Sequence, residues 1–157
     1  MGPLVSIVIP CYNEERYIGE CLQSIVDQSY PSDLIEVIVV DGNSIDKSVS
    51  IVQKYSKILP QLTQLKNPQK ITPISLNIGV KSASGEIIVI LGAYSFVHSD
   101  FIKNSVLALD EVDAVCVGGP IENIGSSYIG KAIALAMKSP FGVGNSLFRT
   151  SRKRQYV

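Results

Sequence analysis

The sequence carries little charge, and its two signs balance. Charged residues make up 18% of the chain, with 14 acidic and 14 basic side chains. Binding to nucleic acid relies on an excess of positive charge, so nucleic acid is not an expected partner. Hydrophobic residues reach 46%, which excludes the intrinsically disordered class. The 157 residues are therefore expected to form an ordinary folded domain with a real core.

The sequence also lacks the features of an exported or membrane-spanning protein. Its three cysteines, Cys11, Cys21 and Cys116, are odd in number and form no CxxC pair. Reduced thiols are expected rather than a disulfide framework or a zinc site. The N-terminus has no signal-peptide order of basic, apolar and small residues. No apolar run reaches the roughly 18 residues that a membrane span needs. We expect a soluble protein of the cytoplasm.

Two common nucleotide-binding motifs are missing. The fingerprint GxGxxG does not follow the first predicted strand, where residues 10–15 read PCYNEE. The phosphate-binding loop GxxxxGK[ST] does not occur anywhere in the chain. An NAD-type Rossmann enzyme and a P-loop enzyme are therefore both disfavoured. A bound nucleotide would have to be held by side chains and strand ends.

Strand and helix patterns alternate along the chain. Short apolar, β-branched runs predict strands at residues 4–9, 35–40, 61–65, 86–91 and 114–117. Apolar residues at helical spacing predict helices at residues 14–26, 46–55, 72–83, 99–109 and 126–138. This alternation predicts an α/β fold, with a doubly wound, mostly parallel sheet and helices on both faces.

Local signals set the expected boundaries. Pro10 is expected to end the first strand, because proline has no N–H for the ladder. Asn13 is expected to cap the helix that follows. Residues 141–145 are predicted to be a loop. We expect one domain over residues 1–148 and a basic, mobile tail over residues 149–157.

Asp41 stands where a ligand site is expected. It follows the β-branched run of residues 35–40, and ligands of parallel α/β sheets bind outside the carboxyl ends of the strands. Its carboxylate can accept a hydrogen bond from a base or ribose, and Tyr12 can stack on a base. The alternative is that Asp41 caps a turn and Tyr12 is an aromatic at the rim. The residues alone leave both interpretations open.

Four ordered motifs add to this picture: residues 5–15, 39–46, 76–79 and 83–86. Together they resemble the family 2 glycosyltransferases. Two later segments, Gly118-Gly119 and the SPFGVG of residues 139–144, are similar to the succinoglycan-biosynthesis type within that family. The resemblance implies a Rossmann-like GT-A fold that binds a UDP- or GDP-type nucleotide sugar. It also implies inverting transfer of the sugar to a saccharide or lipid-linked acceptor, in polysaccharide or cell-envelope glycan synthesis.

The resemblance implies roles for six residues in nucleotide binding. By matching motif position, Pro10 and Tyr12 would line the base pocket, Glu14 would lie near the ribose, and Asp41 would bind the base.

The two remaining positions, Asn77 and Gly79, would shape the wall behind the diphosphate. Lys70, in the preceding loop, has two interpretations: it contacts phosphate, or it is a solvated loop lysine.

The resemblance also implies Mg²⁺ or Mn²⁺, because a divalent ion offsets the charge on a diphosphate leaving group. The family binds it through a DxD-like motif at the position that here reads Gly92-Ala93-Tyr94. Both expected carboxylates are missing, so no metal ligand is assigned. His98 and Asp100 lie nearby, but neither stands at the motif position.

The family's catalytic base lies in a segment beyond the GVG of residues 142–144, and about a dozen residues follow it here. No catalytic residue is assigned, and the chain is expected to be the nucleotide-binding half of the enzyme. Two alternatives stay open: a non-catalytic nucleotide-sugar-binding module, and a structural remnant that binds no nucleotide.

The last predicted helix also has two interpretations. It is rich in Ala, Ile and Leu, and Lys131 and Lys138 share a face. It could belong to a core or domain interface, or it could lie on a partner or on the inner face of the membrane. Apolar surface left uncovered on it would favour self-association.

Overall fold

The computed structural model describes residues 2–112, 114–125, 127–144 and 149. The chain divides into two compact units, Met1–Val106 and Leu107–Val157. The single domain predicted over residues 1–148 stays a prediction. The predicted mobile tail lies outside the described residues, apart from Arg149.

The first unit is built on a four-stranded sheet whose strands are all parallel. The strands are β1 (Val5–Cys11), β2 (Ile35–Asp41), β3 (Leu62–Lys66) and β4 (Ile87–Ile90). Their order across the sheet is β3-β2-β1-β4. The first four predicted strands are thus confirmed, and the parallel order requires the helical crossovers that the alternation predicts.

Three helices connect these strands, a fourth follows β4, and together they cover both faces of the sheet. They are α1 (Ile18–Val26), α2 (Ser48–Tyr55), α3 (Thr72–Ser82) and α4 (Phe101–Val112), with a short 3₁₀ helix at Ser32–Leu34. On one face, Ile18 and Leu22 of α1 and Val52 of α2 join the main core with the inward residues of β1 and β2. On the other face, α3 packs across β1 and β2. The predicted doubly wound α/β fold is confirmed.

The central strands β1 and β2 are buried on both faces, which explains their continuous apolar sequence. Their register pairs Val5 with Ile35 and runs in step to Cys11 and Asp41. The two strands therefore end at the same level, and the loops that follow them emerge side by side.

Pro10 does not end the first strand, because β1 continues through it to Cys11. The ladder between β1 and β4 stops at the Val8–Ile90 pair, whereas the ladder to β2 continues past it. At Pro10, β1 is thus bonded on one side only, where a residue without an N–H is tolerated.

The amino edge of the sheet is tied to the α3–β4 connection by the partly buried carboxylate of Glu36. Glu36 accepts hydrogen bonds from the Ser6 hydroxyl, from Ser84 N at 2.9 Å and from Ser84 Oγ at 2.7 Å. Burial would raise the pKa of Glu36, but these hydrogen bonds lower it below its usual value. A methyl group on Gly85 would lie 2.6 Å from Ser6 Oγ and 2.8 Å from Leu4 O, so only glycine allows this approach. The 83–86 motif is thereby explained by packing.

The second unit contains α5 (Tyr128–Ala136) and α6 (Pro140–Val143). The strand predicted at residues 114–117 is wrong: these residues form no strand, and Val115 is fully exposed. An apolar run forms a strand only where a second strand pairs with it. Residues 141–143 of the predicted loop are helical and belong to α6, because Pro140 starts a turn that the Ser139 hydroxyl caps at Gly142 N, 3.1 Å away. Residue 145 of that loop lies outside the described residues. Among the described residues, no helix is long and apolar enough to span a bilayer.

Candidate functional site

Asp41 is buried at the carboxyl end of β2, with only 3% of its surface exposed. Its Oδ1 accepts a hydrogen bond of 2.6 Å from the Ser44 hydroxyl, and its Oδ2 accepts one of 3.1 Å from Ser44 N. Asp41 therefore orders the turn that follows it. Each carboxylate oxygen can accept two hydrogen bonds, so capacity for a ligand remains. The turn-capping and base-binding interpretations are compatible.

The loops after β1 and β2 are joined by hydrogen bonds between backbone and side chains. The N–H groups of residues 13, 14 and 15 donate to Ser44 Oγ, Ser48 Oγ and Asp46 Oδ2 over 2.9, 2.8 and 3.0 Å. Ser44 and Asp46 belong to the second loop and Ser48 is the first residue of α2, so the segment that follows β2 fixes the backbone of the first loop. The two loops form one rigid rim.

Asn13 belongs to this rim and does not cap a helix. Its φ is 55°, its side-chain Oδ1 accepts a hydrogen bond of 2.9 Å from Ile45 N, and α1 begins only at Ile18. Asn43 opposite has a φ of 65°. Asparagine is one of the few residues besides glycine that occupy this left-handed region with ease. The expected cap at Asn13 was wrong because the residue bonds across to the second loop.

The rim is acidic, and its carboxyl groups differ in environment. Burial, and then the neighbouring Asp46 carboxylate, raise the pKa of Glu14. Burial would also raise the pKa of Asp46, but hydrogen bonds from Ser48 and from Glu15 N lower it below its usual value. The rim near Asp41 therefore repels phosphate and suits the N–H and O–H donors of a base or ribose.

The two buried thiols, Cys11 and Cys21, are poor nucleophiles. Burial, and then the Asp41 carboxylate, raise the pKa of Cys11 to about 12. Burial also raises the pKa of Cys21 to about 12, and its Sγ donates to Gly92 O over 3.7 Å. Neither thiol is a candidate nucleophile, because the thiolate is the reactive form.

Tyr12 presents an aromatic surface at the same edge, with 44% of the residue exposed. A methyl group on Gly42 would lie 3.3 Å from the Tyr12 Cβ and Cδ2 atoms, so the turn after Asp41 packs closely against Tyr12. Lys70 Nζ lies 5.4 Å from the centroid of the Tyr12 ring. The sequence interpretations of Lys70 did not include this contact.

Three other residues implied in nucleotide binding, Pro10, Asn77 and Gly79, lie in β1 and α3. Pro10 is half-buried in β1 beside Val40. Asn77 is exposed on α3. Gly79 is buried, and a methyl group there would come within 3.0 Å of Val8 Cγ1. Gly79 thus allows α3 to pack closely on the sheet, and its implied role beside the diphosphate stays a prediction.

Asn67 is a member of the site that the sequence reasoning missed. It is fully buried, and its N–H donates to the main-chain oxygen of Asp41 over 2.7 Å. Its side-chain Nδ2 donates to Ile71 O at 3.0 Å and Ser75 Oγ at 2.9 Å. The available signal was an asparagine directly after a strand and before Pro68, which is typical of an ordered turn.

The residues at the DxD-like position do not fit a divalent metal ion. Gly92 has no side chain, Ala93 is 1% exposed and Tyr94 is 69% exposed. Mg²⁺ and Mn²⁺ favour carboxylate and other hard oxygen ligands, which are lacking at these three positions. Among the described residues, no group of three or more His, Cys, Asp or Glu side chains is placed to hold a metal ion.

His98 and Asp100 have a different setting. The His98 side chain is 83% exposed, and Asp100 Oδ1 accepts a hydrogen bond of 2.7 Å from the Ser29 hydroxyl. Gln28 Oε1 accepts from Ile102 N at 3.0 Å in the first turn of α4. These contacts dock the end of α1 onto the start of α4 and do not point to a metal site.

Comparison with known proteins gives a consistent family. Residues 6–155 match the family model described as "Glycosyl transferase family 2". A relative from Methanococcus voltae, named dolichyl N-acetyl-alpha-D-glucosaminyl phosphate 3-beta-D-2,3-diacetamido-2,3-dideoxy-beta-D-glucuronosyltransferase, is 28% identical over 151 residues. That alignment covers 92% of this chain and 47% of the relative, so the chain spans about half the relative's length.

Solved structures share the fold. Staphylococcus aureus TarS in complex with UDP aligns with a TM-score of 0.65 and 26% identity, covering 76% of this chain and 38% of that one. The mannosyltransferase PcManGT from Pyrobaculum calidifontis, in complex with GDP-Man and Mn²⁺, aligns with a TM-score of 0.68 and 33% identity. It covers 76% of this chain and 37% of its own.

Proposed function

The chain belongs to glycosyl transferase family 2, and from that premise we propose that it binds a nucleotide-diphosphate sugar for transfer of the sugar to an acceptor. Its parallel α/β fold matches that of the GT-A glycosyltransferases. The observation that carries the proposal is the buried Asp41 carboxylate beside the half-exposed ring of Tyr12. The succinoglycan-biosynthesis type stays a prediction.

The chemistry of the rim supports a definite orientation of the donor. The Asp41 carboxylate only accepts hydrogen bonds and would accept one from an N–H group of the base, and the Tyr12 ring offers a surface on which the base can stack. Glu14 stands in the next position along the rim and suits a ribose hydroxyl. Because this rim is acidic, the diphosphate would extend away from it, towards the end of β4. TarS was solved with UDP and PcManGT with GDP-Man, which supports a uridine or guanosine donor.

No step of the proposed function is routed through a metal ion. PcManGT was solved with Mn²⁺, but Gly92 and Tyr94 of this chain supply no carboxylate at the DxD-like position. The Mg²⁺ or Mn²⁺ expected from the resemblance therefore has no fitting ligands among these residues.

The acceptor is proposed to be a saccharide or a lipid-linked glycan. The name of the M. voltae relative includes a dolichyl phosphate-linked sugar, which supports the lipid-linked class. Transfer with inversion follows from the family premise, and none of the described residues is assigned as catalytic base. Self-association, and a location in the cytoplasm or at the inner face of the membrane, stay predictions.

Calorimetric titration of the 157-residue chain with UDP and GDP tests the proposal. Asp41→Asn should weaken binding at least tenfold, because one acceptor oxygen becomes an amide N–H donor. Asp33→Asn is the matched control, since Asp33 is exposed in the 3₁₀ helix at the opposite edge of the sheet. Equal binding by wild type and Asp41→Asn would refute the proposal, provided that circular dichroism shows both to be folded.

A second candidate is a non-catalytic nucleotide-sugar-binding module, and the specific observation favouring it is the Gly92-Ala93-Tyr94 sequence. It predicts nucleotide binding that is indifferent to Mn²⁺, with no release of nucleoside diphosphate from nucleotide sugars. Measurable release from a panel of UDP- and GDP-sugars would eliminate this candidate. Binding that rises strongly with Mn²⁺ would contradict it as well.

A further inference from the structure

A cavity of about 350 Å³ lies in the second unit, between α5 and the segment 123–125 that precedes it. Its lining includes two lysines, two aliphatic residues, an asparagine and a glycine: Lys131, Lys138, Leu135, Ile124, Asn123 and Gly125. Small-ligand pockets have volumes of about 300–1,000 Å³, so this cavity can hold a headgroup with a short apolar segment.

The segment is fixed against the helix by a contact between two main chains. A methyl group on Gly125 would overlap the carbonyl group of Gly130 and would lie 2.5 Å from Lys131 N, so only glycine allows this approach. The first turn of α5 is capped by the Ser127 hydroxyl, which accepts a hydrogen bond of 2.9 Å from Gly130 N. Main-chain packing therefore sets the position of residues 123–125 relative to Lys131.

Asn123, which lines the cavity, has a side-chain donor without a partner. Its Nδ2 atom is buried and makes no hydrogen bond to any residue that the structure describes. The Oδ1 atom of the same amide accepts a hydrogen bond of 3.5 Å from Arg149 Nη1, so Nδ2 is directed away from that guanidinium. Nearly all buried polar groups in native proteins are hydrogen-bonded. An acceptor atom bound in the cavity would satisfy this donor.

The cavity also carries positive charge. Lys138 Nζ lies 2.7 Å from Glu122 Oε1, and that carboxylate offsets much of its charge. Within residues 2–112, 114–125, 127–144 and 149, the Lys131 ammonium has no ion pair or hydrogen bond of this kind. An ammonium only donates hydrogen bonds, as does the amide nitrogen of Asn123. These donors favour an anion with several acceptor oxygens, such as a phosphate group.

The rest of the lining is apolar and open to solvent. Ile124 and Leu135 each have 70% of their surface exposed. The hydrocarbon stems of the lysines add to this apolar surface. Free phosphate would leave these carbon atoms in water, whereas a phosphate carried on a hydrocarbon chain would cover them. The cavity therefore has the chemistry of a site for an amphiphilic anion.

We propose that this cavity binds the phosphate group of a lipid-linked substrate. Lys131 and Asn123 donate to the phosphate oxygens, and Ile124 and Leu135 contact the first carbons of the lipid chain. The identification of this substrate as the sugar acceptor rests on the proposed function. The binding of a phosphate-bearing chain does not, because the second unit alone supplies the lining residues.

Titration of the ¹⁵N-labelled 157-residue chain with octyl phosphate, followed by two-dimensional ¹H–¹⁵N NMR, tests the proposal. Inorganic phosphate and 1-octanol supply the two halves of this probe separately. We expect octyl phosphate to bind at least about tenfold more tightly than either, which corresponds to about 1.4 kcal/mol. The Gly125 amide and the Asn123 side-chain NH₂ should shift on binding. No binding of octyl phosphate, equal affinity for either half, or shifts confined to other residues would overturn the proposal.

Variants of the donors sharpen this test. Lys131→Met should weaken octyl phosphate binding about tenfold, and Lys131→Arg should preserve it, because a charge-assisted hydrogen bond is lost only in the first. Asn123→Asp replaces the donor by a carboxylate and should weaken binding at least as much. Lys103→Met and Asn104→Asp make the same changes at exposed positions of α4 and should have no effect. A Lys131→Met chain that is folded by its NMR spectrum and binds like Lys103→Met overturns the proposal.

A membrane surface also presents phosphate beside hydrocarbon, so sedimentation with phosphatidylglycerol vesicles separates the two sources. Wild type and Lys131→Met should sediment alike, because the proposed ligand is an individual lipid-linked substrate. Vesicle binding that is lost in Lys131→Met would overturn the proposal, since the cavity would then dock the chain on a bilayer.

Parallel titrations with UDP and GDP separate this inference from the proposed function. Lys131→Met should bind both nucleotides as wild type does, because the proposed nucleotide site is at Asp41 and Tyr12 in the first unit. If its affinity for them falls as much as that for octyl phosphate, the cavity holds the donor diphosphate and the inference is overturned. A wild-type chain that binds octyl phosphate but neither nucleotide overturns the proposed function and the acceptor role, and leaves the lipid-phosphate site standing.

Discussion

Gly79 offers a direct test of how closely α3 packs on the sheet. A methyl group at this position would lie less than 3.0 Å from Val8 Cγ1, and 3.3 Å from Val40 Cγ2. The optimal van der Waals separation of two non-bonded carbon atoms is about 3.5–4.0 Å. Val8 is fully buried in a central strand and β-branched, so it has little freedom to turn aside. In Gly79→Ala, the helix must therefore lift from the sheet.

The expected effect is the balance of two terms. Replacing glycine by alanine inside a helix favours folding by about 0.5–1 kcal/mol. Inserting a methyl group into a packed interface costs typically 1–3 kcal/mol. We expect Gly79→Ala to lower the free energy of unfolding by about 0.5–2 kcal/mol. Gly19→Ala in α1 is the matched control, since its methyl group would meet Ile51 Cγ2 at an ordinary 3.7 Å and should be neutral or stabilising.

The assay is urea denaturation followed by far-UV circular dichroism, because the chain has no tryptophan to report by fluorescence. A change in midpoint at constant slope measures the change in stability. Val8→Ala alone opens a cavity, and in Val8→Ala/Gly79→Ala the new methyl group refills part of it. The double variant should thus be more stable than the sum of the single effects by 0.5 kcal/mol or more. Additive effects, or a Gly79→Ala variant as stable as Gly19→Ala, would refute the packing argument.

Two further predictions concern charge and thiol chemistry. Glu36→Gln removes a charged acceptor from Ser84 and should lower the free energy of unfolding by about 1 kcal/mol. This loss is smaller than that expected for a fully buried charged hydrogen bond, because Glu36 is only partly buried. Because the folded pKa of Glu36 is lowered, its contribution to stability is present above the unfolded pKa of about 4.3 and is lost as the pH falls through the folded pKa. The urea midpoints of wild type and Glu36→Gln should therefore converge as the pH is lowered through that range. Iodoacetamide at pH 8 should modify exposed Cys116 in the native chain but not Cys11 or Cys21, whose pKa values are raised to about 12. Mass spectrometry should show one modification in native protein and three in denaturant, and modification of either buried thiol in the native state would contradict the burial.

Two errors of the sequence interpretation share one cause. Pro10 and residues 114–117 were interpreted from their own composition, whereas strand formation depends on the neighbour. Pro10 remains in β1 because the ladder to β4 has already ended at Ile90. Residues 114–117 are apolar enough for a strand but have none paired with them among the described residues.

The sequence by itself determined the α/β alternation, the first four strands and the position of Asp41 at a strand end. These follow from periodicity and from apolar runs, which are local properties of the chain. Only the tertiary structure decided what surrounds Asp41. The contact of Lys70 with Tyr12 joins residues 58 positions apart, and the bond from Asn67 to Asp41 crosses from β3 to β2. Such contacts depend on strand order and register, and no local pattern in a single sequence encodes them.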